Sequence, residues 1–123
     1  MKIQFTSIKV DDLEASISFY TGLLGLTQAM RFQPQPGVDI AFLKDGTGGT
    51  LELVANAHEP QASGTSRVSI CFAVESVDRE LAAFTARGAK IVRGPIALPT
   101  GAKFVYLLDP NGVEIELLEG FAP

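Results

Sequence analysis

Two glutamates, Glu52 and Glu116, are the residues of this chain whose type and surroundings best suit chemistry. Each stands between leucine or isoleucine neighbours in a stretch that alternates as a strand, so its side chain points away from the apolar face. A partly desolvated carboxylate can act as a general base, anchor a basic ligand or supply half of a metal site. The alternative is that one or both glutamates have no chemical role and are solvated or hydrogen-bonded.

The two glutamates occupy equivalent positions in a chain that repeats itself. The stretch 40–54 matches 104–118 without a gap, so Asp45 corresponds to Asp109 and Leu53 to Leu117 at one constant offset. Such a duplication decides the architecture, because each copy must form the same supersecondary unit. The chain is therefore predicted to be one α+β domain of two modules.

Hydrophobic periodicity predicts the order βαβββ in the first module. Asp11 or Asp12 can cap the helix, whose core stripe is predicted at Leu13, Ile17, Tyr20 and Leu24, and Gly25 ends it. Because each proline removes a donor, residues 33–37 are predicted to be a loop. The predicted strands are Ile3–Val10, Leu26–Phe32, Val38–Lys44 and Thr50–Ala55.

The second module repeats this order. Ser76 is the predicted helix cap, Val77, Leu81 and Phe84 the stripe, and Gly88 the end. The turn Asp109-Pro110-Asn111-Gly112 joins the last two strands. The predicted strands are Arg67–Val74, Lys90–Arg93 and the two arms of the hairpin within Lys103–Glu119, with residues 94–101 as a loop.

Length and composition set further limits. The predicted modules are 1–55 and 66–123, joined by the linker 56–65. The net charge of -4, with no run of lysine or arginine, argues against nucleic acid as a partner. No apolar run could cross a bilayer, and a single cysteine cannot form an internal disulfide. We expect a cytoplasmic protein.

Two segments carry a resemblance to a known family: Asp12–Tyr20 followed by Leu24-Gly25, and Asp109–Gly112 followed by Ile115-Glu116-Leu117. With the duplication, they resemble the vicinal oxygen chelate superfamily, which includes glyoxalase I, bleomycin-resistance proteins and extradiol dioxygenases. The resemblance implies a curved mixed sheet around a cavity where two βαβββ modules pair, within one chain or across a dimer. It also implies a homodimer.

The metal enzymes of this family hold their metal by residues on the first and last strands of each module. By resemblance, those positions fall on Phe5, Glu52, Ser69 and Glu116. Phenylalanine has no lone pair to donate, and a serine hydroxyl is a weak neutral ligand. No cofactor or metal is therefore expected, although the two glutamates keep a divalent metal in consideration.

Several other residues are candidates. Phe5, Phe42 and Tyr106 could line an apolar pocket beside Ser69 and the glutamates, or could be core. His58, in the linker, is interpreted as a surface residue, and Cys71 as a packing residue on the face of Ser69. The cations that could hold an acidic ligand, or be solvated strand ends, are Lys9, Arg31, Arg93 and Lys103.

The function predicted on these grounds is metal-independent binding of a small molecule, in which Glu52 and Glu116 favour a basic or hydrogen-bond-donating group. The alternative is a metal-dependent lyase or isomerase resembling glyoxalase I, where a Lewis acid stabilises an enediolate and a glutamate moves the proton. A third class is a structural or regulatory partner without a ligand.

Overall fold

Each half of the chain forms one helix packed on a four-stranded sheet. The computed structural model describes residues 3–58 and 68–120. The chain divides into two compact units, Met1–Ser63 and Gly64–Pro123. Both units have the predicted βαβββ order.

The first unit contains a mixed sheet in the order β1-β4-β3-β2. β1 runs parallel to β4, and the other pairs are antiparallel. The elements are β1 (Thr6–Val10), α1 (Leu13–Gly22), β2 (Thr27–Gln35), β3 (Val38–Lys44) and β4 (Thr50–Asn56).

The second unit has the same topology, β5-β8-β7-β6, again with one parallel pair, β5 and β8. Its elements are β5 (Ser69–Ala73), α2 (Val77–Ala86), β6 (Lys90–Ala97), β7 (Lys103–Leu108) and β8 (Glu114–Glu119). The repeat seen in the sequence is therefore a repeat of topology.

Local chemistry explains where the helices begin. The Asp12 side chain accepts a hydrogen bond from the backbone N–H of Ala15 at 3.0 Å, and the Ser76 side chain accepts one from Arg79 at 3.2 Å. Each bond satisfies an N–H that has no partner within its helix.

The buried side of α1 differs from the predicted stripe. Leu13 and Tyr20 are buried as predicted, but Ser16 and Phe19 complete the buried side. Ile17 is half-buried, and Leu24 lies beyond the helix. Ser16 can be buried because its hydroxyl donates to the carbonyl oxygen of Asp12 at 3.0 Å, so the helix can turn Phe19 inward.

Two proline-containing segments predicted to be loops are in fact strand. β2 continues through Pro34 to Gln35, and β6 continues through Pro95 to Ala97. Both are edge strands, where a proline removes no hydrogen bond from the sheet, and both carry register shifts near the proline. The loops are correspondingly short, and the first reduces to a turn at Pro36-Gly37.

Smaller differences concern element ends. β1 begins at Thr6 rather than Ile3, and β4 extends one residue further than predicted, to Asn56. Residues 59–65 of the predicted linker lie outside the described residues, as does Arg67 at the start of the predicted fifth strand.

The core of each unit lies between its helix and one face of its sheet. In the second unit Val105, Leu107, Ile115 and Leu117 are fully buried together with Val77 and Phe84 of α2. The corresponding layer in the first unit consists of Ile8, Val10, Ala41, Leu43, Leu51 and Leu53. No helix in the described ranges is long and apolar enough to cross a membrane.

Candidate functional site

The predicted glutamates lie on the sheet face opposite the helix, which we call the glutamate face of each unit. Glu52 is half-buried, whereas its neighbours Leu51 and Leu53 are buried in the core layer. Glu116 stands likewise between Ile115 and Leu117. Alternation along a strand therefore separates the carboxylate from the core in both units.

Strand pairing in the first unit aligns a row of four side chains across the glutamate face. Ser7 is the cross-strand partner of Glu52, Glu52 that of Phe42, and Phe42 that of Met30. Cross-strand partners project from the same face of a sheet. We call Ser7, Glu52, Phe42 and Met30 the first row.

The Glu52 carboxylate has a neutral donor on one side and an aromatic group on the other. The Ser7 hydroxyl donates a hydrogen bond to Oε1 of Glu52 at 2.8 Å. Phe42 packs edge-on against Phe5, with ring centroids 5.3 Å apart, and parallel to Phe32 at 6.3 Å. Phe5 and Phe32 are each 40% exposed and Met30 is 56% exposed, so this aromatic group is accessible.

The second unit has the equivalent row, but with more polar members. Cys71 is the cross-strand partner of Glu116, Glu116 that of Tyr106, and Tyr106 that of Arg93. The first three members correspond, at the constant offset of the repeat, to Ser7, Glu52 and Phe42. We call Cys71, Glu116, Tyr106 and Arg93 the second row.

Glu116 perturbs the two groups beside it. Burial raises the pKa of the Cys71 thiol to about 11, and the charge of Glu116 and a hydrogen bond to it add to the shift. Burial also raises the pKa of the Tyr106 hydroxyl, again with a contribution from a hydrogen bond to Glu116. Both groups therefore stay protonated at neutral pH and act as donors to the carboxylate.

Arg93 ends the second row at the edge of the sheet. Its guanidinium carbon lies 4.6 Å from the centroid of the Tyr106 ring and 5.9 Å from that of Phe104. The two rings meet edge-on at 5.8 Å. Arg93 is thus held against aromatic faces by cation–π contacts.

The structure places the remaining predicted residues as follows. Ser69 is exposed at the start of β5, where its cross-strand partner is Glu114 rather than Glu116. Cys71 lies on the glutamate face beside Glu116, where the residue is exposed although its thiol is partly shielded from water, so it is not part of the core packing. His58 is exposed as predicted, with Nε2 3.0 Å from the carbonyl oxygen of Pro36.

Two of the four candidate cations are engaged in ion pairs. Arg31 pairs with Asp39 at 2.8 Å and with Glu14 of α1, and Lys103 pairs with Asp78 of α2 at 2.8 Å. These pairs tie each helix to its sheet. Lys9 is exposed and shares the face of Ser7 by alternation, so only Lys9 and Arg93 of the four belong to a glutamate face.

Sequence reasoning missed the row itself. Ser7 and Met30 were not recognised, although the offset that pairs Glu52 with Glu116 also pairs Ser7 with Cys71. The sequence did contain a signal for these residues. The repeat offset pairs Ser7 with Cys71, each two residues after the predicted first-strand positions Phe5 and Ser69. Met30 and Arg93 do not share the offset, because register shifts interrupt β2 and β6 near them.

A cavity of about 530 Å³ lies elsewhere in the first unit. It is lined by Val10, Asp11, Gln33, Gly37, Asp39, Ala55, Asn56 and Ala57. None of these is a predicted site residue, and Val10 belongs to the core layer under α1. The candidate sites are therefore the two rows, each within its own unit, rather than this cavity.

The donor sets of the two rows do not fit a resident divalent metal. Phe5 offers only a ring, which packs on Phe42, and the Ser7 hydroxyl already donates to Glu52. In the second row only the Glu116 carboxylate and the Cys71 sulfur are strong ligand types, fewer than a divalent metal takes from a protein. Over residues 3–58 and 68–120, no three histidine, cysteine or acidic side chains cluster as a metal site would require.

A family model and proteins of similar sequence were compared with this chain. The family model Glyoxalase/Bleomycin resistance protein/Dioxygenase superfamily matches residues 2–117. YwbC of Bacillus subtilis, an uncharacterized protein, is 31% identical and aligns over 96% of this chain and 97% of its own. A lactoylglutathione lyase of Haemophilus influenzae is 29% identical, with 97% of this chain and 93% of that protein covered.

Solved structures show the same fold. A glyoxalase family protein of Bacillus cereus superposes with a TM-score of 0.85 at 20% identity, covering 99% of this chain and 95% of its own. The trypanothione-dependent glyoxalase I of Leishmania major gives a TM-score of 0.81 at 27% identity, covering 97% and 86%. The tandem βαβββ fold and the family match together show that this chain belongs to the Glyoxalase/Bleomycin resistance protein/Dioxygenase superfamily.

Proposed function

We propose that this protein binds a small organic molecule without the help of a metal. One observation carries the proposal: Glu52 and Glu116 each lie between a neutral hydrogen-bond donor and an aromatic ring on a glutamate face. An arrangement of this kind offers an acceptor and a stacking surface for a ligand, and the raised pKa of the Cys71 thiol makes it a slow nucleophile at neutral pH. In this proposal the rows bind a ligand and do not react with it.

The rows indicate what the ligand must offer. A carboxylate that already accepts bonds from a hydroxyl or thiol still has lone pairs for an N–H or O–H donor of the ligand. Phe5, Phe32 and Phe42 provide ring faces and edges for a flat apolar group. A flat molecule with a basic or hydrogen-bond-donating nitrogen satisfies both requirements.

The experiment is a fluorescence titration with 9-aminoacridine, a flat cation with an amino group. Glu52→Gln and Glu116→Gln keep the shape of each side chain but remove the charge. A hydrogen bond to a charged group contributes about 1.5–3 kcal/mol, so we expect at least one variant to bind roughly 10- to 100-fold more weakly.

Glu75→Gln is the matched control, because Glu75 carries the same charge on a side chain that is 91% exposed near the start of α2. It should bind as tightly as the unmodified protein. Unchanged affinity in both the Glu52 and the Glu116 variants would remove the glutamates from the binding role.

A second candidate function is a metal-dependent lyase. Its support is the similarity to proteins named lactoylglutathione lyase, together with Glu52 and Glu116 at the positions that the family resemblance assigns to metal ligands. If ligand binding is independent of metal, Ni²⁺ and Zn²⁺ should leave the melting temperature of the protein unchanged within about 1 °C, because a ligand stabilises only a state that binds it. A metal-dependent rise of several degrees together with lactoylglutathione lyase activity would favour the lyase instead.

A further inference from the structure

Arg93 is a cation on the glutamate face of the second unit, and its N–H groups remain available for hydrogen bonds to a ligand. Its side chain is exposed on the edge strand β6 and packs against Tyr106 and Phe104. Within the described part of the chain, Arg93 forms no ion pair, whereas Arg31, Arg79 and Lys103 all do.

Stacking restricts the guanidinium without consuming its hydrogen-bond donors. A cation–π contact is an electrostatic attraction to the ring face and needs no N–H···O hydrogen bond, so the guanidinium keeps donors for an anion. An arginine held in this way loses less side-chain entropy when it binds, and two of its N–H groups can donate to two oxygens of one anionic group.

Among the described residues, Arg93 and Glu116 form no salt bridge, and Tyr106 lies between them in the row. Neighbouring strands are about 4.8 Å apart, so the β6 and β8 backbones are about 10 Å apart at this level. Tyr106 is the cross-strand partner of Glu116 on one side, while its ring packs against Arg93 on the other. The row therefore presents an acceptor and a separate cation.

We propose that Arg93 binds an anionic group of the ligand, such as a carboxylate or a sulfonate, while Glu116 receives a hydrogen-bond donor of the same molecule. This inference rests on the proposed binding function and narrows its ligand class. The ligand is then a flat organic molecule with a donor and an anionic group on opposite sides of Tyr106. Because the protein carries a net charge of -4, a cation at the site offsets the general repulsion of an anionic ligand.

The test compares two fluorescent probes that differ only in the anion. 6-Anilinonaphthalene-2-sulfonate carries an aromatic N–H donor and a sulfonate at opposite ends of the naphthalene, and N-phenyl-2-naphthylamine is the same ring system without the sulfonate. Both are titrated into the intact protein and into Arg93→Gln, Arg93→Lys and Arg87→Gln. Arg87 caps α2 and is exposed, so its variant makes the same charge change away from the row.

We expect Arg93→Gln to weaken binding of the sulfonate at least tenfold and to change the affinity for the neutral probe less than twofold. Arg93→Lys should restore part of the loss, because lysine keeps the charge but not the planar fork. Arg87→Gln should behave like the unmodified protein.

If Arg93→Gln and Arg87→Gln weaken binding of the sulfonate probe equally, the effect comes from net charge alone, and the inference is overturned. No change with Arg93→Gln, while 9-aminoacridine still depends on a glutamate, would overturn it and leave the proposed binding function standing. If neither glutamate variant changes 9-aminoacridine binding and neither naphthalene probe binds, the binding function and this inference fail together.

Discussion

At the scale of single residues, the contrast between the two rows explains how one repeated motif yields two kinds of surface. Glu52 and Glu116 occupy equivalent positions, yet one is flanked by phenylalanine and methionine and the other by tyrosine and arginine. The first row suits an apolar ring and the second a polar group. The identity of the flanking side chains therefore sets the ligand chemistry around a common carboxylate.

The Cys71 thiol gives a residue-scale prediction. Its pKa is raised from 9.0 to about 11, so below pH 9 it carries roughly a hundredth of the thiolate of an unfolded cysteine. A more basic thiolate is also more nucleophilic, which offsets about half of that difference on a logarithmic scale. We therefore expect iodoacetamide to alkylate Cys71 about tenfold more slowly in the native protein than in urea at pH 8.

The pH profile has a definite sign. The native rate should keep rising through pH 9 and level off near pH 11, whereas the rate in urea should level off near pH 9. Glu116→Gln should move the native profile toward lower pH but not as far as 9, because burial is the larger cause of the shift. A native rate that levels off below pH 9 would contradict this account.

At the scale of elements, the two β-turns repeat the same hydrogen bonds. Asp45 accepts from the backbone N–H groups of Thr47 at 2.8 Å and Gly49 at 2.9 Å. Asp109 accepts from Asn111 at 2.7 Å and Val113 at 2.8 Å. The aspartates differ in burial, since Asp109 is only 5% exposed and Asp45 is exposed.

That difference predicts unequal effects of the same substitution. Asp109→Ala removes the acceptor from donors that water reaches poorly, and it should lower the free energy of unfolding by about 2 kcal/mol. Asp45→Ala, the matched control at the equivalent position of the first module, should cost clearly less because water can replace the carboxylate. Urea denaturation measures both, and a larger loss in the Asp45 variant would contradict the burial argument.

Most elements could be predicted from the sequence because their signals are local. Asp12 and Ser76 cap their helices by hydrogen bonds within three residues, and the Asp109 turn closes within four. The loop predictions for the proline-containing segments were wrong because local sequence does not reveal whether a strand lies at the edge of its sheet. Proline is excluded only from central strands, and β2 and β6 are edge strands. Of the row members, Glu52, Phe42, Glu116 and Tyr106 were named as site residues, whereas Ser7 and Met30 were not. Ser7 follows the repeat offset and could have been found, but Met30 depends on a register shift in β2 that local sequence does not reveal.

At the scale of the whole molecule, the repeat is the dominant feature, and it leaves apolar side chains exposed on edge strands. Met30 on β2 and Val92 on β6 are 56% and 48% exposed. Unpaired edges with apolar side chains favour association with another chain. We propose that the protein forms a homodimer, as the family resemblance also implies.

Light scattering coupled to size-exclusion chromatography tests the homodimer. At a micromolar protein concentration, the measured molar mass should be twice that of one chain. A Met30→Glu,Val92→Glu variant places charges on both edges and should shift the mass toward one chain if these edges form the interface. A mass of one chain for the unmodified protein at that concentration would contradict the proposal.

The measurement that tests the central claim most directly is the affinity for 9-aminoacridine in protein first dialysed against a chelator and then supplied with Ni²⁺ or Zn²⁺. Metal-independent binding predicts one dissociation constant under all three conditions, weakened roughly 10- to 100-fold when a contacting glutamate becomes glutamine. Binding that appears only after metal is restored, with about one metal ion retained per chain and lost in the Glu116→Gln variant, would contradict it.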